Sequence, residues 1–172
     1  MNEFAVAAIG DDRPGMVAAI GEALLAAGAS IEDSSMTILG GSFAMLLLVQ
    51  GPFQADQLEI WLRPVAEQLQ LDLTVRETQP GTPVQQREEY VIAAYGPDRP
   101  GLVVALAKVL AARGINIADF GSRLTEGGVF AMWFNVTVPA ESDVEQLAHE
   151  LRAAGGEVSL DVTVHRPEAE AL

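Results

Sequence analysis

Two short strings carry most of the chemistry this chain offers: GDDRPGMV, from Gly10 to Val17, and GPDRPGLV, from Gly96 to Val103. Each supplies an acid (Asp12, Asp98), a guanidinium (Arg13, Arg99), a proline and a glycine (Gly15, Gly101) just ahead of an apolar run. Proline sits naturally in the first turn of a helix. The backbone N–H groups of Gly15-Met16-Val17 and Gly101-Leu102-Val103 are therefore expected at a helix start, where the dipole favours an anion, and glycine lets a ligand come close to the backbone. Neither string has the G-x-x-x-x-G-K-[ST] spacing, or the lysine, of a phosphate-binding loop. A carboxylate is the anion that fits, while Asp12 and Asp98 can accept from an ammonium, and the two together describe an amino-acid site. A purely structural reading fits the same residues. An Asp ahead of a helix commonly caps it, and Arg13 or Arg99 can pair with a nearby carboxylate.

Catalysis has little to stand on. His149 and His165 lie outside the shared strings, with no partner at the spacing of H-E-x-x-H. No G-x-S-x-G arrangement is present, and the absence of cysteine removes thiol nucleophiles, disulfides and Cys-ligated metals. The Asp11-Asp12 pair becomes Pro97-Asp98 in the second string, so paired carboxylates are not shared. Met16, Met36, Met45 and Met132 are expected to fill core. No catalytic residue, metal or cofactor is expected.

The elements that must position these loops follow from an internal repeat. At an offset of 86 residues, positions 4–33 match 90–119 at 14 of 30 places, and after a one-residue insertion Phe43-Ala44-Met45 matches Phe130-Ala131-Met132. Residues 4–9 and 90–95 read as buried strands. Val17, Ile20 and Leu24, and likewise Val103, Leu106 and Leu110, share one helical face, and Gly28 and Gly114 end those helices. Strands at 30–39 and 43–50 turn around Gly40-Gly41, and strands at 115–124 and 129–138 turn around Gly127-Gly128. The second helix of copy one buries Leu58, Trp61, Leu62, Val65 and Leu69 and is kinked or shortened by Pro64; that of copy two buries Val144, Leu147, Ala148 and Leu151. Closing strands fall near 72–77 and 157–165. The order β-α-β-β-α-β predicts an α+β chain of two ferredoxin-like units, each an antiparallel sheet with two helices on one face. Domains are expected at 1–77 and 90–166, with a linker at 78–89 and a tail at 167–172.

On the third strands, Ala44, Leu46 and Leu48, and Ala131 and Trp133, alternate with the core-facing residues and are not polar. A sheet face meeting water should be, so part of that second face is expected to be covered by the other repeat or another subunit. The chain has 172 residues, and 49% hydrophobic with 20% charged residues is too apolar for disorder. Its net charge of −14 argues against direct nucleic-acid contact, which needs clustered Lys and Arg. Three cations and eleven anions in residues 1–86, and seven and thirteen in 87–172, leave neither half basic. No run approaches a membrane span, and the N-terminus lacks a basic n-region, so a soluble, cytoplasmic protein is expected, with no membrane partner.

The string D-R-P-G-[LM]-V, a helix, and then G-[IA]-[NS]-I-x-D resembles the ACT domain, a small amino-acid-sensing regulatory module, over nearly all of both repeats. Two such units without a catalytic domain resemble the family of the glycine cleavage system transcriptional repressor, tandem-ACT regulators without a DNA-binding domain of their own. The resemblance implies ligands bound where the first loop of one unit meets the start of strand two of a neighbour. Carried onto matching positions, that places Asp98, Gly101, Leu102, Asn116 and Ile117 at the second copy's site, with the Asn116 amide donating and accepting. The first copy matches with Asp12, Gly15, Met16 and Ile31 but has Ser30 where the Asn should stand, with fewer hydrogen bonds to offer. The implied function is that of a non-catalytic sensor of a small amino acid that signals to a protein partner, a transcription factor for instance. The alternative is an accessory subunit controlling an amino-acid metabolic enzyme. A homodimer or higher oligomer is expected from the open strand edges.

Overall fold

Alternation of apolar residues builds the same sheet twice. The computed structural model describes residues 1–78 and 87–167. The chain divides into two units, Met1–Thr82 and Pro83–Leu172, each with its own core. The first contains β1 (Asn2–Asp11), α1 (Met16–Ala26), β2 (Ser30–Leu39), β3 (Ser42–Gly51), α2 (Ala55–Leu69) and β4 (Asp72–Glu77), with sheet order β2-β3-β1-β4. The second contains β5 (Arg87–Pro97), α3 (Leu102–Ala112), β6 (Asn116–Leu124), β7 (Val129–Pro139), α4 (Val144–Glu157) and β8 (Asp161–His165), in the equivalent order β6-β7-β5-β8. Every strand pair is antiparallel.

In the first unit Phe4, Val6 and Ala8 of β1 and Phe43, Leu47 and Val49 of β3 point to the helices, where they bury against Ile20, Leu24, Leu58 and Leu62. In the second, Ile92, Ala94, Met132, Phe134 and Val136 meet Leu106, Leu110, Leu147 and Leu151. The opposite sheet face stays open in each unit taken by itself: Ile9 and Leu46 are exposed in the first, Tyr95 and Trp133 in the second. Gly28 (φ 71°) and Gly114 (φ 63°) do end the first helices; the following N–H groups of Ala29 and Ile115 reach back to Leu24 and Leu110 at 3.0 Å.

Several details differ from the sequence reading. Met16 and Leu102, not Val17 and Val103, complete the buried stripes of α1 and α3; Val17 is 48% exposed. Trp61 lies outside the core, edge-on to Phe53 at 5.6 Å, and Ala66 takes its place in the stripe. Pro64 does not shorten α2, which runs on to Leu69. Ile60, whose carbonyl loses its helical donor, and Pro64 itself are exposed, so water can replace that bond. The last strand starts at Asp161, not 157, because α4 continues through Gly155. A Cβ at Gly155 would collide with Val162, so the glycine there sets helix against strand instead of breaking the helix. The expected linker lies mostly outside the described residues, but Arg87–Glu89 already pair with Pro139 to Thr137. The expected tail is described only at Pro167.

Arg113, just past α3, grips Glu150 of α4 through Nε–Oε2 at 2.9 Å and a second bond from Nη2 to Oε1, and Gln146 adds a third bond to the same carboxylate. The Arg113 hydrogen bond, supported by Gln146, holds the Glu150 carboxyl below its ordinary range. A depressed carboxylate stabilises the fold fully above its unfolded value and loses that contribution as pH falls through the folded one. Glu150→Gln is therefore expected to leave a shallower loss of stability on acidification, read as urea midpoints between neutral and acidic pH.

Candidate functional site

The D-R-P-G loops follow β1 and β5 and open α1 and α3. Both helices start from a glycine in the left-handed region, Gly15 (φ 93°, ψ −4°) and Gly101 (φ 92°, ψ −2°), and neither has a side-chain cap. A residue with a Cβ is disfavoured at such angles, which accounts for glycine at both places. The capping reading of Asp12 and Asp98 therefore fails, since the capping position belongs to the glycine three residues later. The first intrahelical bonds are Ala19 N–H to Gly15 C=O and Ala105 N–H to Gly101 C=O, each 3.0 Å. The N–H groups of Met16, Val17 and Ala18, and of Leu102, Val103 and Val104, are thus left without an intrahelical partner.

The arginines have a different partner from the carboxylates expected. Arg13 donates from Nη2 to Gln70 Oε1 at 2.7 Å, and Arg99 donates from Nη1 to Ser159 Oγ at 3.4 Å. Gln70 and Ser159 are the two non-glycine residues with positive φ among the described residues, at 56° and 65°, and each follows the second helix of its unit. Each loop is so braced to the turn between the second helix and the last strand.

In the first unit the loop borders a groove of about 450 Å³ lined by Asp12, Arg13, Gly15, Met16, Val17, Ala18, Met36 and Phe43. Asp12, Gly15 and Met16 thereby line one groove, but Met16 contributes only backbone: its side chain is buried, and its sulfur accepts from Arg13 N–H at 3.1 Å. Leu102 is buried in the same way. Asp98 and Gly101 are exposed beside it. A larger hollow of about 500 Å³ between α2 and β4, lined by Glu59, Arg63, Glu67 and Asp72 among others, contains none of the repeated loop residues.

Ser30 and Ile31 are not beside the loop of their own unit. Ser30 lies opposite Gln50, which lies opposite Glu3, whereas the loop follows Asp11. Eight strand residues at ~3.4 Å each put the two about 27 Å apart. Asn116 and Ile117 stand equally far from Asp98 and Gly101, since Asn116 faces Thr137 and Thr137 faces Glu89. The residues expected together at each site thus do not meet within one unit. All ten residues of β2 are exposed, however, and it is an edge strand. An antiparallel neighbour laid along it would carry its own strand start to the loop end.

The sequence reading missed Met36. It does not fill the core; it is 45% exposed and, opposite Met45 on the helix side of the sheet, walls the groove. Strand alternation alone marks the side it points to, not whether a helix covers that side.

An ACT-domain model matches residues 3–76, and a second ACT-domain model matches residues 90–156. The glycine cleavage system transcriptional repressor of Escherichia coli (strain K12) is 28% identical over 167 residues, 94% of this chain and 74% of that protein. A UPF0237 protein of Methanocaldococcus jannaschii is 45% identical over 79 residues, 45% of this chain and 87% of its own length. Among solved structures, an unknown protein from Galdieria sulphuraria superposes with a TM-score of 0.83 at 27% identity, over 97% of this chain and 99% of that one.

Proposed function

The chain belongs to the ACT-domain family, as a regulatory protein related to the glycine cleavage repressor, and from that premise we propose that it binds a small amino acid at its D-R-P-G loops and passes its ligand state to a protein partner. The observation that carries this reading is the uncapped helix start beside an aspartate, present in both units: three N–H groups suited to a carboxylate and, at Asp12 or Asp98, an acceptor for an ammonium. The head group of an amino acid matches both. A neighbouring ACT unit would complete each site by bringing Asn116 or Ser30 to the loop.

The partner reading rests on charge. At −14 the protein is repelled by nucleic acid, so a role in transcription, like that named for its Escherichia coli relative, would run through another protein. No residue combination in the groove suits bond-breaking chemistry, and the proposal is for a sensor without catalysis.

Titrating the purified chain with each of the twenty amino acids should raise its thermal midpoint with at least one of them, because a ligand held only by the native state stabilises it by about 2.7 kcal/mol at a hundred times Kd. No shift at millimolar concentrations would sink the reading. Loss of the Asn116 amide by substitution with alanine is expected to weaken binding by about threefold to tenfold, more than Ser30→Ala does. Equal effects would remove the second repeat's claim to the better site.

A further inference from the structure

We infer that the groove at the first repeat's loop selects an amino acid with an apolar side chain, and that Met36 is the residue that sets this selectivity. The inference rests on the amino-acid reading of that loop and adds to it a ligand class. The groove has two ends of different chemistry. Asp12 and the free N–H groups of α1 form the polar end; the half-exposed Val17 and Met36 form an apolar wall, with the buried Phe43 behind them. Its volume, about 450 Å³, lies in the range of small-ligand pockets and leaves space beyond the head group that glycine would not fill. Water held against that wall would be released by an aliphatic or thioether side chain, whereas a hydroxyl would find no partner on Val17, Met36 or Phe43.

Within its own unit Met36 belongs to no core cluster. It projects from an edge strand exposed along its whole length, toward the side where α1 begins, and its flexible thioether can close on ligands of different shape. The second repeat supplies the internal contrast. Its loop repeats Asp98, Arg99 and Gly101, but the position opposite Met132, equivalent to Met36 opposite Met45, holds Ser122. The two repeats thus share the residues for a head group and differ at the wall that would meet a side chain.

The test uses the full chain, titrated calorimetrically with leucine, methionine, serine and glycine. Leucine or methionine is expected to bind at least about tenfold more tightly than glycine, the scale on which apolar pockets discriminate by a methylene or more. Met36→Ser should erase that preference while retaining glycine binding, and Met36→Leu should restore it. Because the position is half exposed, the unliganded thermal midpoint should barely move, which separates lost selectivity from lost folding. Glycine or serine binding as well as leucine, or a preference untouched by Met36→Ser, overturns the inference and leaves the amino-acid reading standing. Failure of all four ligands and of the other sixteen overturns the amino-acid reading and this inference together.

Discussion

Leu106→Ala is expected to destabilise the second unit by about 2–5 kcal/mol, the usual cost of truncating a fully buried leucine. Leu106 is completely buried in the middle of α3, within a cluster that includes Ile92, Phe134, Leu147 and Leu151. The neighbours are held by a sheet and a second helix and cannot collapse far into the space left behind. Whole domains are stable by only about 5–15 kcal/mol, so the loss is a large share of what a unit of this size possesses. The first unit has a separate cluster, built on Phe4, Ile20, Leu24 and Leu58. Hydrogen exchange should therefore accelerate at the amides of α3, β5 and β7 far more than at those of α1, β1 and β3. Equal acceleration in both sets would show that the two cores do not act as separate stabilising units. Since α3 begins at Gly101, the second repeat's loop should lose its geometry along with the helix.

Gly15→Ala and Gly28→Ala are expected to cost the fold about the same and the ligand very differently. Both glycines have positive φ, 93° and 71°, and a Cβ added to either meets nothing within 4 Å. Each substitution therefore carries mainly the ~1–2 kcal/mol of a left-handed L-residue. The Gly15 methyl, however, stands among the residues lining the groove, next to the N–H groups proposed to hold a carboxylate. Losing one charge-assisted hydrogen bond lowers affinity by about tenfold or more. Gly28 ends α1 away from the groove and serves as a control matched for strain. The readouts are denaturant midpoints for stability and calorimetric affinity for the amino acid. A comparable affinity loss in both variants would mean that the loop acts only through the stability of α1.

Much of the architecture was legible because glycine, proline and aspartate punctuate the chain twice at one offset. The left-handed Gly28 and Gly114, and the hairpin around Gly40-Gly41 with φ of 59° and 83°, are positions where one residue type dictates the turn. Helix phase was less legible. In MVAAI either Met16 or Val17 can lead the apolar stripe, and it is the left-handed Gly15 that fixes where α1 begins and turns Met16 inward. The shortening expected at Pro64 did not occur, because the cost of an interior proline depends on whether the orphaned carbonyl meets water, which no local string reveals. The closing strand expected from 157 starts only at Asp161, because α4 runs on through Gly155, where the missing Cβ lets the helix press on Val162.

At the loops, the helix starts were legible from D-R-P-G, but the partners of Arg13 and Arg99 were not. Gln70 and Ser159 lie 57 and 60 residues downstream, and only the fold brings each turn to its loop. Met36 was misjudged for the opposite reason. A methionine among apolar neighbours usually packs inside, whereas Met36 projects half-exposed from an exposed edge strand.

The two arginine braces are equivalent in position but not in grip. A 2.7 Å bond to an amide oxygen holds the first loop more firmly than a 3.4 Å contact to a hydroxyl holds the second. A loop already fixed in its binding geometry surrenders little freedom when a ligand arrives, while a looser one must give up that freedom at the moment of binding. Under the amino-acid reading proposed above, the first loop would be the more preorganised receptor, and the second would be the one whose ordering a ligand completes.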